Sequence, residues 1–342
     1  MLRRSLWVAL ACGVLACSRS EHTSTAPARE PPVVAPRSSG STVQGAGPSA
    51  PLGAAIASTP SPASSARAEP LVVGQVGQPL VVAPSQAYEP PLLEPGEQRP
   101  LLLFLHGFGS GGAVAFQALR FAEFGARMRV FVLAPDGSTD ATGRKFWDAG
   151  PACCNFGGPP IDDIARVDEL LQRYLARGVV DPKRVFVIGY SNGGFLAHRV
   201  ACQLSPRVAA VASVAGAAPK TLVGCNPSSS IAVLEVHGDK DQVVSYAGGS
   251  VFQRPEVPTH SGAKEGLLAW ASLLGCTERS PQETKLDLFA ALPDAETHSL
   301  RHERCARGSA ALLTVVGGDH YLGAEPKLLT EIWRYFERYP KP

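Results

Sequence analysis

The chain has 342 residues, 45% of them hydrophobic and 18% charged, and its 32 Lys and Arg against 30 Asp and Glu leave a formal net charge of +2. So even a balance, with no block of basic residues, argues against nucleic acid as a partner. Eight cysteines with no Cys-x-x-Cys and no His/Cys cluster at zinc spacing argue against a structural metal.

The first segment reads as a leader. Leu2-Arg3-Arg4 precedes an apolar stretch from Leu6 to Ala16, well short of the ~20 apolar residues that a spanning helix needs. Residues 1–17 are therefore expected to be a signal peptide. Its end, Val14-Leu15-Ala16-Cys17, resembles a bacterial lipobox, so Cys17 is expected to be lipidated and to become the new N-terminus, making the membrane a partner through that anchor. Residues 18–69 are dominated by Ala, Pro, Ser, Gly and Thr, which bury too little apolar surface to order themselves. They read as a disordered tether with a coil-like reach of about 40 Å. Residues 70–342 are left as one catalytic unit. Outside the leader remain Cys153, Cys154, Cys202, Cys225, Cys276 and Cys305, an even number that in an exported chain points to disulfides of undetermined pairing.

After residue 70, short apolar runs alternate with amphipathic stretches. The runs are Leu101–Leu105, Val130–Leu133, Val185–Ile188, Val208–Val214, Ile231–Val236 and Ala311–Val316; helices are expected over Ala113–Arg127, Asp163–Ala176, Asn192–Leu204, Lys264–Leu274 and Pro326–Arg338. That alternation predicts an α/β fold: a mostly parallel, doubly wound sheet covered by helices on both faces. Loops at the carboxyl ends of such strands carry the chemistry.

The third run leads into Gly189-Tyr190-Ser191-Asn192-Gly193. A Gly-x-Ser-x-Gly between a buried strand and a helix is the context of a nucleophile elbow, in which a sharp turn lifts the serine Oγ above the sheet. The helix that follows aims backbone N–H groups at any oxyanion formed there, so the N–H of Asn192 is a candidate donor. His320 lies in a glycine-flanked loop between the last run and the last helix, where flexible backbone can aim an imidazole at Ser191. For the acid, Asp239 and Asp241 after the fifth run compete, with Asp319 a third choice beside the base. His106 and His237 each precede a glycine after a strand and are read as packing. The order Ser, Asp, His is that of α/β-hydrolases.

Gly107-Phe108-Gly109-Ser110-Gly111-Gly112 with Asp136 24 residues after Gly112 also fits a dinucleotide-binding turn. An NAD-dependent oxidoreductase is thus an alternative, as are a peptidase and a catalytically inactive binding module on the same fold. The preferred reading needs no cofactor.

Several motifs resemble the polyhydroxybutyrate depolymerase and feruloyl esterase-like group of secreted esterases, akin to carbohydrate esterase family 1 within the α/β-hydrolases. They are Leu105-His106-Gly107, Gly189-Tyr190-Ser191-Asn192-Gly193-Gly194, Trp147-Asp148-Ala149-Gly150 with Cys153-Cys154 and Asp162-Asp163, and His237-Gly238 with Asp241, Val244 and Tyr246-Ala247-Gly248-Gly249. The resemblance implies a serine esterase acting on aryl, feruloyl, acetyl or polyhydroxyalkanoate esters. It also puts the acid at Asp241, adds the Phe108 N–H to the oxyanion hole, and implies a Cys276–Cys305 disulfide. Gly317-Gly318-Asp319-His320-Tyr321-Leu322-Gly323 keeps the group's histidine but lacks its following Trp-Pro. Phe108, Trp147, Phe156, Tyr190 and Tyr246 are candidate walls of an apolar binding site, favouring a flat apolar group.

Overall fold

A computed structural model describes residues 79–342, apart from 83–84, 93, 279 and 323–324. The expected leader, the tether and Cys17 lie outside the described residues. In chain order the elements are β1 (Pro79–Val82), β2 (Ser85–Tyr88), β3 (Arg99–Leu105), α1 (Gly112–Ala118), α2 (Phe121–Met128), β4 (Phe131–Ala134), a small hairpin of β5 (Ser138–Thr139) and β6 (Lys145–Phe146), α3 (Asp163–Leu175), β7 (Val180–Tyr190), α4 (Asn192–Gln203), β8 (Ala210–Val214), β9 (Ile231–Gly238), α5 (Ala263–Leu273), β10 (Gln282–Leu286), β11 (Thr297–Cys305), β12 (Gly308–Val315) and α6 (Pro326–Glu337).

The main sheet runs β1-β2-β4-β3-β7-β8-β9-β12-β11-β10. Its centre, β4 through β12, is parallel, and antiparallel pairs flank it on both sides. Strands buried on both faces need apolar residues in succession, and β3 shows the consequence. Leu101, Leu103 and Leu105 enter one core layer, with α3, α4 and α5, while Leu102 and Phe104 enter the other, with α1, α2 and α6. The expected α/β-hydrolase architecture is observed.

Some local expectations differ. The single helix expected over Ala113–Arg127 is two, because Arg120 adopts a left-handed conformation (φ 52°, ψ 44°) that interrupts the helical ladder. The strand in the fourth run begins at Ala210, and the last one spans Gly308–Val315 rather than Ala311–Val316. β10 and β11 were not anticipated: QETKL is polar and mostly exposed, and THSLRHERC alternates in burial.

Cys276 and Cys305 are disulfide-bonded across a separation of 29 residues, Cys202 bonds Cys225, and Cys153 bonds its neighbour Cys154. Constraining an unfolded loop the length of the Cys276–Cys305 one stabilises by about 3–4 kcal/mol.

Candidate active site

Ser191 stands at the turn from β7 into α4 with φ 52° and ψ −115°, a conformation that non-glycine residues rarely adopt and that surrounding packing must impose. The imposing contacts are backbone contacts. A Cβ on Gly189 would lie 1.9 Å from the Gly193 carbonyl oxygen, and one on Gly193 would lie 2.1 Å from that of Leu105. Only hydrogen fits at either position. The Ser191 N–H donates to the Val214 carbonyl at 2.8 Å, tying the turn to β8.

Ser191, Asp241 and His320 come together from three loops. His320 Nε2 is 3.0 Å from Ser191 Oγ, and its Nδ1 is 2.8 Å from Asp241 Oδ2. A carboxylate only accepts, so the imidazole carries its proton on Nδ1 and turns a lone pair toward the serine. The other oxygen of Asp241 accepts the N–H groups of Val243 and Val244, each at 2.8 Å. Asp239 and Asp319 do other work: each caps a turn, through the N–H groups of Gly317 and Tyr321 respectively. Tyr190 donates its hydroxyl to the His320 carbonyl at 2.9 Å and steadies the loop of the base.

Behind Asp241 lies a buried charged network that sequence reasoning missed, having read His237 as packing. Glu235 and His237 are two residues apart on β9 and so face the same side. His237 Nε2 is 2.8 Å from the Val244 carbonyl and 3.4 Å from Asp241 Oδ2, while its Nδ1 is 3.2 Å from Glu235 Oε1. Trp270 Nε1–H donates to His198 Nδ1 at 3.0 Å, which leaves the His198 proton on Nε2, 3.0 Å from the other Glu235 oxygen. Burial opposes a charge on His237, but its hydrogen bonds to Asp241 and Glu235 outweigh that and push its pKa up to about 10. Burial likewise opposes ionisation of Asp241; hydrogen bonds from His237 and His320 prevail and hold its carboxyl far below the usual carboxylate range. The signal in the sequence was a Glu inside the apolar run of a central strand.

Asn192, the first residue of α4, is fully buried, and its side chain accepts from the Trp147 N–H at 2.7 Å and donates to the Trp147 carbonyl at 2.9 Å. This staples the Trp147 loop to the elbow. The backbone N–H of Asn192 belongs to the first helical turn, whose amides have no intrahelical acceptor.

A cavity of about 420 Å³ opens beside Ser191 and His320, with Phe108 and Tyr190 in its lining. Trp147 and Tyr246 do not line it, which corrects their expected place in the binding wall. Trp147 is buried with its indole N–H on the His106 carbonyl at 3.0 Å, and the Tyr246 hydroxyl bonds Thr314 Oγ1 at 2.7 Å. Phe156 packs edge-on against Phe108 at 5.6 Å, outside the cavity lining. His106 is held by the Gly107 carbonyl and the Gly137 N–H, and is a packing residue as expected. In the Gly-rich segment after it, Gly107, Phe108 and Ser110 line the cavity. Asp136 is taken by the Gly112 N–H and Lys145 Nζ, both at 2.7 Å, so its carboxylate caps α1 in place of reaching a ribose.

Residues 161–257 match the Phospholipase/Carboxylesterase family. The chain is 28% identical over 230 residues to feruloyl esterase B of Piromyces equi, an alignment covering 66% of this chain and 40% of that protein. It is 31% identical over 239 residues to NocK of Nocardia uniformis subsp. tsuyamanensis, a protein assigned as an esterase, covering 66% of this chain and 65% of that one. The chain thus spans less than two thirds of the length of both. Among solved structures, an acetyl xylan esterase from Aspergillus awamori superposes with a TM-score of 0.53 at 15% identity, covering 74% of this chain and 93% of that one.

Proposed function

We propose that this chain, which belongs to the α/β-hydrolase esterase family, is an exported serine esterase that cleaves carboxylic esters through an acyl-enzyme. The observation that carries the reading is the unbroken hydrogen-bond line from Asp241 through His320 to Ser191 Oγ. Ser191 Oγ attacks the ester carbonyl while His320 Nε2 takes its proton. The same nitrogen then protonates the leaving alcohol, and in the second half-reaction it activates water against the acyl-enzyme. Asp241 keeps the proton on Nδ1 and stabilises the imidazolium. Backbone N–H groups of Asn192 and Phe108 receive the developing oxyanion, a contribution of about 3–4 kcal/mol per donor to the transition state. None of these steps calls on a cofactor.

A fluorophosphonate probe tests the assignment directly. It is expected to attach to Ser191, read by peptide mapping, with p-nitrophenyl acetate hydrolysed far faster than a peptide p-nitroanilide. An unlabelled Ser191 sinks the esterase reading, and a preference for the anilide replaces it with a peptidase.

Export rests on the leader over residues 1–17 and is supported by the three disulfides among the described residues, which suit an oxidising compartment. The protein made in a bacterial host should begin at Cys17 and carry the mass of more than one acyl chain, as stable anchoring requires. An unlipidated N-terminus elsewhere makes the protein a freely secreted one.

A further inference from the structure

From the cavity beside Ser191 we infer that the substrate's acyl part is a saturated hydrocarbon chain of medium length, held between the sheet and α1 and α6. This rests on the esterase reading above and narrows it. At about 30 Å³ per heavy atom, the share of a water in the liquid, 420 Å³ holds about 14 such atoms. Volume alone admits a hydroxycinnamoyl group as well as a fatty one. The lining decides between them. Phe104 and Ile188, register partners on β3 and β7, form the sheet side, Phe121 at the start of α2 adjoins them, and Leu328 and Ile332 form the α6 side. Ile188 precedes Tyr190 by two residues, about 7 Å down the strand, so the hydrocarbon walls extend well below the level of the nucleophile.

The polar side chains of the lining, apart from Ser191 and His320, are Ser110, Tyr190, Tyr321 and Glu325. Tyr190 has its hydroxyl committed to the His320 carbonyl, and the Glu325 carboxylate disfavours an anionic chain. A phenol pushed down among Phe104, Ile188 and Ile332 would lose its water partners and find none, costing about tenfold or more in binding. A chain of methylenes loses nothing there and gains up to about fourfold in kcat/KM for each one buried. The acyl group is the part to expect in the cavity because it stays bonded to Ser191 through both half-reactions, whereas the alcohol must leave and water must follow it.

The test is kcat/KM for p-nitrophenyl acetate, butyrate, octanoate and decanoate, with ethyl decanoate set against decyl acetate and methyl cinnamate against methyl ferulate. The expected result is a rise of ~10²-fold or more from acetate to decanoate, ethyl decanoate preferred over decyl acetate, and cinnamate preferred over ferulate. Two variants that fill the cavity from partly exposed helix positions, Ala115→Phe on α1 and Leu329→Trp on α6, are expected to lower the decanoate-to-acetate ratio at least tenfold. Using the ratio makes each variant its own control for folding. A flat series, an unchanged ratio in both folded variants, or a preference for decyl acetate overturns this inference alone. A chain that cleaves no ester of the series, with Ser191 unlabelled, overturns the esterase reading as well.

Discussion

Ser191→Ala is expected to lower kcat on p-nitrophenyl acetate by at least ~10³-fold while leaving the far-ultraviolet circular dichroism unchanged. The hydroxyl makes no contact that the fold requires: it meets His320 Nε2, and the turn is held by the Ser191 N–H on Val214 and by the close backbone packing of Gly189 and Gly193. His320→Ala should fall nearly as far. The double variant should be no slower than the worse of the two single ones, because nucleophile and base act as a unit. Activity within tenfold of wild type in either folded single variant, or losses that multiply in the double, means that these two side chains do not share a step.

The strand, turn and helix around Ser191 were legible because each left an independent mark: a buried β-branched run, glycines where only hydrogen fits, and a helical stripe beyond. The parallel centre of the sheet was legible for the same reason, since strands buried on both faces must be apolar throughout. The edge was not. β10 shows water four consecutive polar residues, Gln282 to Lys285, and nothing in its composition separates it from a loop. The break at Arg120 was invisible because a left-handed residue that is not glycine carries no local signature, and the amphipathic pattern runs across it. The binding wall was misjudged at Trp147 and Tyr246 for a related reason. An aromatic residue near a catalytic motif is as well used to brace the loop as to meet substrate, and which it does depends on whether a partner for its polar atom lies inside the protein.

Asp241→Asn is expected to cost ~10³–10⁴-fold in kcat, whereas Asp239→Asn stays within about tenfold. The amide is nearly isosteric and keeps Oδ1 as acceptor for Val243 and Val244. What it changes is the group 2.8 Å from His320 Nδ1, where an NH₂ would force the imidazole proton onto Nε2 and turn a donor, not a lone pair, toward Ser191. Asp239 meets Gly317 and not the histidine, so equal losses in the two variants, or a larger one at Asp239, would move the acid role. The substitution should also reshape stability against pH. Asp241 has its carboxyl depressed in the folded state, so its contribution is present above the ordinary carboxylate pKa of about 4 and is lost as pH falls through the depressed value. His237 is raised to about 10; its contribution is complete below the ordinary imidazole value of about 6.5 and fades as pH rises through about 10. Both depend on the contact between the two residues. Removing one charge of a buried set costs about 3–5 kcal/mol at neutral pH, but a variant without the carboxylate has less to lose on either side. Its Tm should therefore be lower at pH 7 and fall less steeply toward both pH 3 and pH 10. Parallel Tm profiles for wild type and Asp241→Asn would show that the line from Glu235 through His237 to Asp241 carries no shared charge.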